Sequence, residues 1–190
     1  AEGIHTNALY GFLNILFKFI DEEKPDYITV AFDLSAPTFR HKAFDGYKGT
    51  RKPMQPELKQ QVPLMKEVLT SMGIPILSLA GYEADDILGT VAKRSQADGI
   101  EVSVVSGDRD LLQLADTHIK IRIPKTSRGK TEIHDYYPED VKREYQVTPT
   151  EFIDVKALMG DSSDNIPGVP SIGEKTATNL IVTYGSIENV

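Results

Sequence analysis

The sequence contains no cysteine, no tryptophan and no apolar run long enough to cross a membrane. Without cysteine, a disulfide scaffold, a thiolate-ligated zinc or iron–sulfur site and a cysteine nucleophile are all excluded. The longest apolar stretch near the start, residues 12–20, is interrupted by Asn14 and Lys18. We therefore expect neither a signal peptide nor a membrane contact, and we expect a cytoplasmic monomer.

What is present is an acidic chain with the composition of a folded domain. The 190 residues include 28 Asp and Glu against 21 Lys and Arg, a net charge of −7, and 40% of them are hydrophobic. This length suits one α/β domain with a small addition. Taken alone, a negative net charge argues against nucleic acid as a partner.

Hydrophobic periodicity predicts helices that alternate with short strands. Strands are expected at 27–32, 74–79, 101–106, 119–123 and 130–133, the last two forming a hairpin around 127–129. Helices are expected at 8–20, 58–72, 83–96, 109–114, 138–145 and 149–159, while 35–56 reads as an irregular excursion. This order indicates a parallel sheet covered by helices, an α/β core over 1–147, followed by a helical region over 148–190.

Acidic residues are concentrated directly after the predicted strands. Asp33 follows the first strand, a Glu-Ala-Asp-Asp run follows the second, and Gly-Asp-Arg-Asp follows the third. Because the carboxyl ends of parallel strands meet at one sheet edge, we expect these side chains to converge there. A Gly-Asp-Ser-Ser-Asp run after the helix at 149–159 can close over the same edge. The candidate metal ligands are Asp33, Glu83, Asp85, Asp86, Asp108, Asp110, Asp161 and Asp164.

Carboxylates packed this densely stay ionised together only when a cation neutralises them. Oxygen ligands without cysteine favour Mg²⁺ or Mn²⁺. Eight acids exceed the needs of one ion, so the pattern predicts two ions about 3.5–4 Å apart, the arrangement for in-line phosphoryl displacement. The alternative gives each acid a local role, in a helix first turn, at a cap or in a turn. Four separate local roles at one sheet edge require more coincidences than one shared site.

The positive charge is concentrated in one segment. Residues 38–66 hold seven Lys or Arg and two Asp or Glu, a net +5, so the remainder of the chain carries −12. The same segment contains Phe39, Phe44 and Tyr47, aromatic residues that can stack on bases. A cationic segment beside a carboxylate cluster suits a polyanionic substrate, with a solvated loop as the alternative. A second basic stretch, residues 120–130, is expected at the surface.

A glycine-rich turn near the end of the chain predicts an anion contact. Residues 166–177 lead through Gly168 and Gly173 into a helix that begins with Lys175 and Thr176 in its first turn. Glycines let backbone amides approach a phosphate, and a helix N-terminus favours an anion.

These motifs together, in order along nearly the whole chain, resemble the flap endonuclease family, in particular the 5′-nuclease domains of bacterial DNA polymerase I. The matching segments are Phe32-Asp33, Phe39–His41, Tyr47–Arg51, Gly81–Asp86, Gly107–Gln113 and Gly160–Val169. The resemblance implies a PIN-like 5′-nuclease core with a C-terminal helix–hairpin–helix region, and structure-selective cleavage of DNA that carries a 5′ flap, nick or single-stranded end. It implies two divalent ions, Mg²⁺ or Mn²⁺, and a K⁺ ion at the hairpin.

The resemblance also implies residue roles. The first metal group is Asp33, Glu83, Asp85 and Asp108, and the second is Asp110, Asp161 and Asp164, with Asp86 close by. Lys48 and Arg51 match catalytic basic residues of a helical arch, which spans about 35–60 here. The implied DNA contacts are Arg40, Lys42, Tyr47, Lys48, Arg51, Lys52, Gly168, Val169, Ile172, Gly173, Lys175 and Thr176.

The family begins with a buried strand that ends in another metal-ligating aspartate, and this sequence starts after that point. We therefore expect the natural protein to contain that strand. Whether a polymerase domain is present in the same natural chain stays open. Two other functions stay open: a catalytically silent fragment that binds DNA structures, and a related nuclease that removes RNA 5′ strands.

Overall fold

Helices and strands alternate along the chain in the order that the hydrophobic periodicity predicts. The computed structural model describes residues 3–127 and 130–190. Its helices are α1 (Asn7–Glu23), α2 (Phe39–Ala43), α3 (Pro56–Ser71), α4 (Ala84–Ala97), α5 (Pro138–Tyr145), α6 (Pro149–Met159) and α7 (Glu174–Tyr184). Its strands are β1 (Val30–Ala31), β2 (Ile76–Leu77), β3 (Val102–Val105), β4 (Ile119–Ser127), β5 (Lys130–Tyr136), β6 (Gly160–Asp161) and β7 (Ile166–Pro167). Two 3₁₀ helices cover Arg109–Leu114 and Ile187–Asn189.

The predicted parallel pairing is present, but in two separate ladders. β1 pairs with β2, with Val30 opposite Ile76, and β3 pairs with β4, with Val102 opposite Ile119. β4 continues into an antiparallel hairpin with β5. No ladder joins β1 to β3 within residues 3–127 and 130–190, so the continuous sheet expected from the sequence is not formed there. Helix α4 packs against both β1 and β3 and holds the two ladders side by side.

Helix α1 is fastened to the three-stranded sheet through its last turn. Glu23 accepts hydrogen bonds from Ser103 Oγ at 3.0 Å and from Lys120 Nζ at 2.9 Å, and it pairs with Arg122. Arg122 is only 7% exposed, which corrects the expectation that the basic stretch 120–130 lies at the surface. A buried guanidinium persists only with carboxylate partners, and here those partners come from α1 and β5.

The hydrophobic core is divided in two. A small cluster forms around Leu16, Leu69 and Ile74, between α1, α3 and the start of β2. The larger cluster covers the sheet β3–β5 and includes Val155 of α6 and Ile181 of α7. The helical region predicted from residue 148 onward therefore shares a core with the sheet.

Local differences from the sequence expectation concern loops and strand lengths. Helix α2 lies within the segment expected to be irregular, because Thr38 and His41 form a reciprocal capping box that starts it. The hairpin strands β4 and β5 are longer than expected, and two of the three residues of the predicted turn, 128 and 129, lie outside the described residues. In the described part of the chain, no helix is long and apolar enough to span a membrane.

Candidate active site

The acids that follow the strands are brought together around the first turn of α4. Asp33 lies just beyond β1, and its Oδ1 accepts a hydrogen bond from the amide of Ala84 at 2.7 Å. Glu83 is the N-cap of α4 and Asp85 stands in its first turn. Asp108, after β3, is the N-cap of the 3₁₀ helix, where its Oδ1 accepts from the Asp110 amide at 2.8 Å. The local capping roles weighed above are thus present, and Asp33, Glu83 and Asp108 also lie near enough to Asp85 for their charges to raise its pKa.

Asp85 reports how strongly these carboxylates interact. Burial, together with the negative charges of Asp108, Asp33 and Glu83, raises its pKa to about 6. Among the described residues, no ion pair reaches Asp33, Asp85 or Asp108. The negative charge of these three carboxylates is therefore not neutralised by an ion pair within the described part of the chain.

The second group lies beside the first, at the 3₁₀ helix and the hairpin β6–β7. Burial raises the pKa of Asp110, and Asp108 and Asp161 act in the same direction. Asp161 Oδ1 accepts from the Ser163 amide at 2.7 Å and from the Asp164 amide at 3.2 Å, which shapes the turn after β6. Hydrogen bonds from Lys156 and Ser163 hold the pKa of Asp161 well below its usual range, against the effect of burial.

Basic residues of the segment 38–66 contact several of these acids directly. Arg40 donates to both carboxylate oxygens of Asp86, each at 2.8 Å, and lies 3.4 Å from Glu83. Lys48 Nζ lies 2.6 Å from Glu83 Oε1. Arg51 pairs with Asp164 and also donates from Nε to the Ser163 carbonyl at 3.1 Å. The cationic segment and the acids therefore form one electrostatic unit.

Both carboxylate oxygens of Asp86 are held by hydrogen bonds. Besides its two bonds with Arg40, its Oδ2 accepts from the Glu83 amide at 2.9 Å. The hydrogen bonds from Arg40 lower its pKa. The structure therefore gives Asp86 the role of an anchor for Arg40 and α2.

Tyr47 differs from its predicted role in base stacking. Its side chain is 5% exposed, and its hydroxyl donates to Glu83 Oε2 at 2.7 Å and lies 3.1 Å from Asp164 Oδ2. Burial, reinforced by the hydrogen bond to Glu83, raises its pKa above the ordinary value, so the hydroxyl stays protonated. In this arrangement Tyr47 joins one carboxylate of each group, whereas Phe39 and Phe44 are exposed.

Two short turns lock the basic segment onto the second group. The Lys48 amide donates to the Asp164 carbonyl at 2.8 Å, and Asn165 Nδ2 donates to the Gly46 carbonyl at 2.7 Å. Lys48 and Asn165 both have positive φ, 54° and 57°, which asparagine tolerates better than most residues. Sequence reasoning missed Asn165, although an asparagine that ends an Asp-rich turn is a signal for this conformation.

The residues proposed to contact duplex DNA fall into packed and open positions. Gly168 is packed: a Cβ there would lie 2.3 Å from the Met159 carbonyl carbon, so its lack of a side chain serves the approach to Gly160. Ile172 packs against the larger core. Gly173, the N-cap of α7, has nothing within 4 Å of where its Cβ would be. The open or exposed members of the set are Lys42, Arg51, Lys52, Val169, Gly173, Lys175 and Thr176.

The donor chemistry of the first group suits a divalent cation. Asp33, Asp85 and Asp108 offer oxygen ligands only, and a cation would relieve the repulsion that raises the pKa of Asp85. Yet within residues 3–127 and 130–190, no three Asp, Glu or His side chains form a preformed metal-binding group. Several of the carboxylates are instead bound by lysine and arginine side chains.

Two family models match the chain from end to end. The model described as 5′-3′ exonuclease, N-terminal resolvase-like domain, matches residues 1–146, and the one described as 5′-3′ exonuclease, C-terminal SAM fold, matches residues 147–190. The chain belongs to the 5′-3′ exonuclease family. The resemblance drawn from the sequence motifs is therefore confirmed.

Curated relatives of this 5′-3′ exonuclease chain are DNA polymerases I. The DNA polymerase I of Bacillus caldotenax is 53% identical over 189 residues, and that of Bacillus subtilis (strain 168) is 50% identical over 189 residues. Each match covers 100% of this chain and 21% of the relative. The chain thus spans about a fifth of the length of these relatives.

Solved structures share the fold. The 5′-exonuclease of bacteriophage T5 with bound divalent metal ions (zinc) superimposes with a TM-score of 0.78 at 25% identity, over 95% of this chain and 68% of that one. The T5 flap endonuclease in a pseudo-enzyme-product complex with DNA and metal ions gives the same TM-score, identity and coverage. The catalytic core of Rad2 with DNA substrate, at 18% identity and a TM-score of 0.59, covers 95% of this chain and 54% of that one and shows the fold alone. The predicted α/β nuclease fold is confirmed.

The raised pKa of Asp85 predicts a pH dependence of stability in the presence of a chelator. Because the folded pKa lies above the ordinary 3.8, the stabilising neutral form is fully populated below about pH 4 and is lost as the pH rises through 6. Asp85→Asn should remove this loss and raise the free energy of unfolding at pH 7 by about 1 kcal/mol, after allowance for solvent screening. Urea unfolding of both proteins at pH 4, 5, 6 and 7 in EDTA measures it. Parallel pH profiles for the two proteins would contradict the expectation.

Proposed function

We propose that this chain is a structure-selective 5′ nuclease that hydrolyses phosphodiester bonds of DNA at 5′ flaps, nicks or ends, with two divalent ions, in primer and flap removal during replication and repair. The observation that carries the proposal is the convergence of Asp33 after β1, Asp85 in the first turn of α4 and Asp108 after β3, without an ion-pair partner among the described residues. The metal-bound T5 5′-exonuclease of the same fold supports a metal-dependent nuclease.

The carboxylates have assigned roles in this proposal. Asp33, Glu83, Asp85 and Asp108 would hold one ion, and Asp110, Asp161 and Asp164 the other. Divalent cations bound there supply a water nucleophile at neutral pH and positive charge for the leaving oxygen. We assign no step to Asp86, because its oxygens are bound by Arg40 and by the Glu83 amide.

The basic residues position the DNA in this proposal. Lys42 and Lys52 are exposed and reach no acid within the described residues, so they are available to contact phosphates. Lys48 and Arg51 lie on the carboxylates themselves, where they place positive charge next to the scissile phosphate. Gly173, at the start of α7, leaves backbone amides open to a phosphate of the duplex.

A second candidate function is DNA binding without cleavage. It is favoured by the observation that no three acidic side chains form a preformed metal group in the described part of the chain. A third, cleavage of RNA 5′ strands, uses the same carboxylates and differs only in the strand that it accepts.

One experiment separates these functions. The chain is incubated with a labelled 5′-flap duplex in Mg²⁺, in Mn²⁺ and in EDTA, next to a flush duplex, and a parallel substrate carries RNA in the 5′ strand. We expect cleavage at the flap junction with either metal and none in EDTA. Binding in a gel-shift assay without cleavage would establish the second function instead, and faster cleavage of the RNA strand the third.

A further inference from the structure

Lys156 of α6 bridges two carboxylates that come from different elements. Its Nζ lies 3.0 Å from Asp110 Oδ1 and 2.9 Å from Asp161 Oδ2. Asp110 belongs to the 3₁₀ helix after β3, and Asp161 to strand β6. The lysine side chain is 25% exposed, so the contact is partly shielded from solvent. Sequence reasoning missed this residue, because nothing local in the sequence connects Lys156 with Asp110.

The two carboxylate groups therefore differ in how their charge is balanced. In the first group, Glu83 pairs with Lys48 and Arg40, but the other three acids, Asp33, Asp85 and Asp108, have no ion pair within residues 3–127 and 130–190. In the second group, Lys156 contacts two of the three acids, and Arg51 pairs with the third, Asp164. The chain itself supplies the cations of the second group.

A divalent ion between Asp110 and Asp161 would meet the ammonium group at Asp110 Oδ1 and Asp161 Oδ2, while Asp161 Oδ1 already accepts from the Ser163 and Asp164 amides. An ammonium group on a flexible stem is a compact point charge with three donors, and it satisfies two carboxylates at once. Binding an ion there therefore requires that Lys156 be displaced, and the contacts that it gives up oppose binding. At the first group, the mutual repulsion of Asp33, Asp85 and Asp108 favours ion binding, because a bound ion relieves it.

We propose that Lys156 is an internal competitor of the divalent ion at the second carboxylate group, so that this group binds its ion more weakly than the first. The inference rests on the proposed metal-dependent function and adds a residue that sets the order in which the two groups load. Lys156 acts on the ion through the carboxylates and is a positioning residue, with no contact to the reacting atoms assigned to it.

Titration of the chain with Mn²⁺ in the absence of DNA tests the proposal, with free Mn²⁺ measured by electron paramagnetic resonance. The wild type should show a tighter and a weaker class of bound ion. Lys156→Met should strengthen the weaker class about tenfold, because two facing carboxylates lose their neutralising charge. Lys156→Arg, which keeps the charge, should leave it near the wild-type value. The matched control is Lys142→Met, an exposed lysine of α5, which should change neither class.

A second variant locates the effect. Adding Asp161→Asn to Lys156→Met should abolish the gain, because one of the two freed carboxylates is gone. Circular dichroism and thermal melting check that each variant is folded, and Lys156→Gln replaces Lys156→Met should the methionine variant unfold. An unchanged or weakened second class in the folded Lys156 variant would overturn the inference alone. A wild-type chain that binds no Mn²⁺ would overturn the proposed metal-dependent function together with it.

Discussion

Replacing Asp108 by asparagine is expected to slow flap cleavage by about a thousandfold while flap binding changes only a few-fold. Asp108 acts on Asp85 through charge, since after burial it has the largest effect among the acids that raise the Asp85 pKa. Its second role is structural, as the N-cap whose Oδ1 accepts from the Asp110 amide. Asparagine caps about as well as aspartate, so the substitution removes a charge and leaves the local fold.

Single-turnover cleavage of a 5′-flap substrate in Mg²⁺ measures the rate, and a gel-shift assay in EDTA measures binding. The matched control is Asp98→Asn, which removes the same charge from the exposed C-cap of α4 and should leave the rate within twofold of wild type. Near-normal cleavage by the Asp108 variant would show that Asp108 is not a metal ligand. A loss of binding as large as the loss of rate would mean that the substitution acts through the fold.

The part of this site that the sequence could predict is the part encoded by local pattern. Asp33 and Asp108 follow apolar strands, and Glu83 and Asp85 open an amphipathic helix, so short-range periodicity places all four at strand or helix ends. The topology rule for parallel strands then brings those ends together. The structure places them so, even though the two parallel ladders are not joined within the described residues.

The missed part depends on side chains that meet across long stretches of sequence. Lys156 contacts an aspartate 46 positions earlier in the chain, and Asn165 donates to the carbonyl of Gly46, 119 positions away. In the sequence, Tyr47 is an aromatic residue in a basic segment, which predicts base stacking. Only the structure shows that it is buried and that its hydroxyl donates to Glu83. Hydrophobic periodicity describes which face of an element is buried, and it contains no information about the polar partner met there.

The acidic net charge, which taken alone argues against DNA as a partner, is explained by where the charges lie in the structure. Three of the seven cations of residues 38–66 are not separate from the acids, since Arg40, Lys48 and Arg51 bind carboxylates of the site. Charge of both signs is therefore concentrated in one place, and the total of −7 describes neither the carboxylates nor the basic segment. A protein field is set by the local arrangement of charges, and the sum predicts it poorly.

Replacing Arg122 by methionine is expected to lower the free energy of unfolding by about 3 kcal/mol. The Arg122 side chain is 9% exposed and pairs with Glu22 at 3.1 Å, with Asp135 at 2.8 Å and with Glu23. Its guanidinium also lies 4.8 Å from the centroid of the Phe19 ring. Methionine fills much of the volume but leaves three carboxylates, from α1 and β5, facing one another without their shared cation.

Urea unfolding at pH 7 measures the loss, and Lys120→Met is the matched control. Lys120 pairs with Glu23 alone at 2.9 Å and is 19% exposed, so its removal should cost about 1 kcal/mol. Equal losses of unfolding free energy in the two variants would show that the buried guanidinium stabilises the fold no more than the more exposed Lys120. Destabilisation at Arg122 should also affect the active site. Arg122 lies opposite Val105, the last residue of β3, and Asp108 follows Val105 by three residues. We therefore expect cleavage by the Arg122 variant to fail at a lower temperature than cleavage by the Lys120 variant.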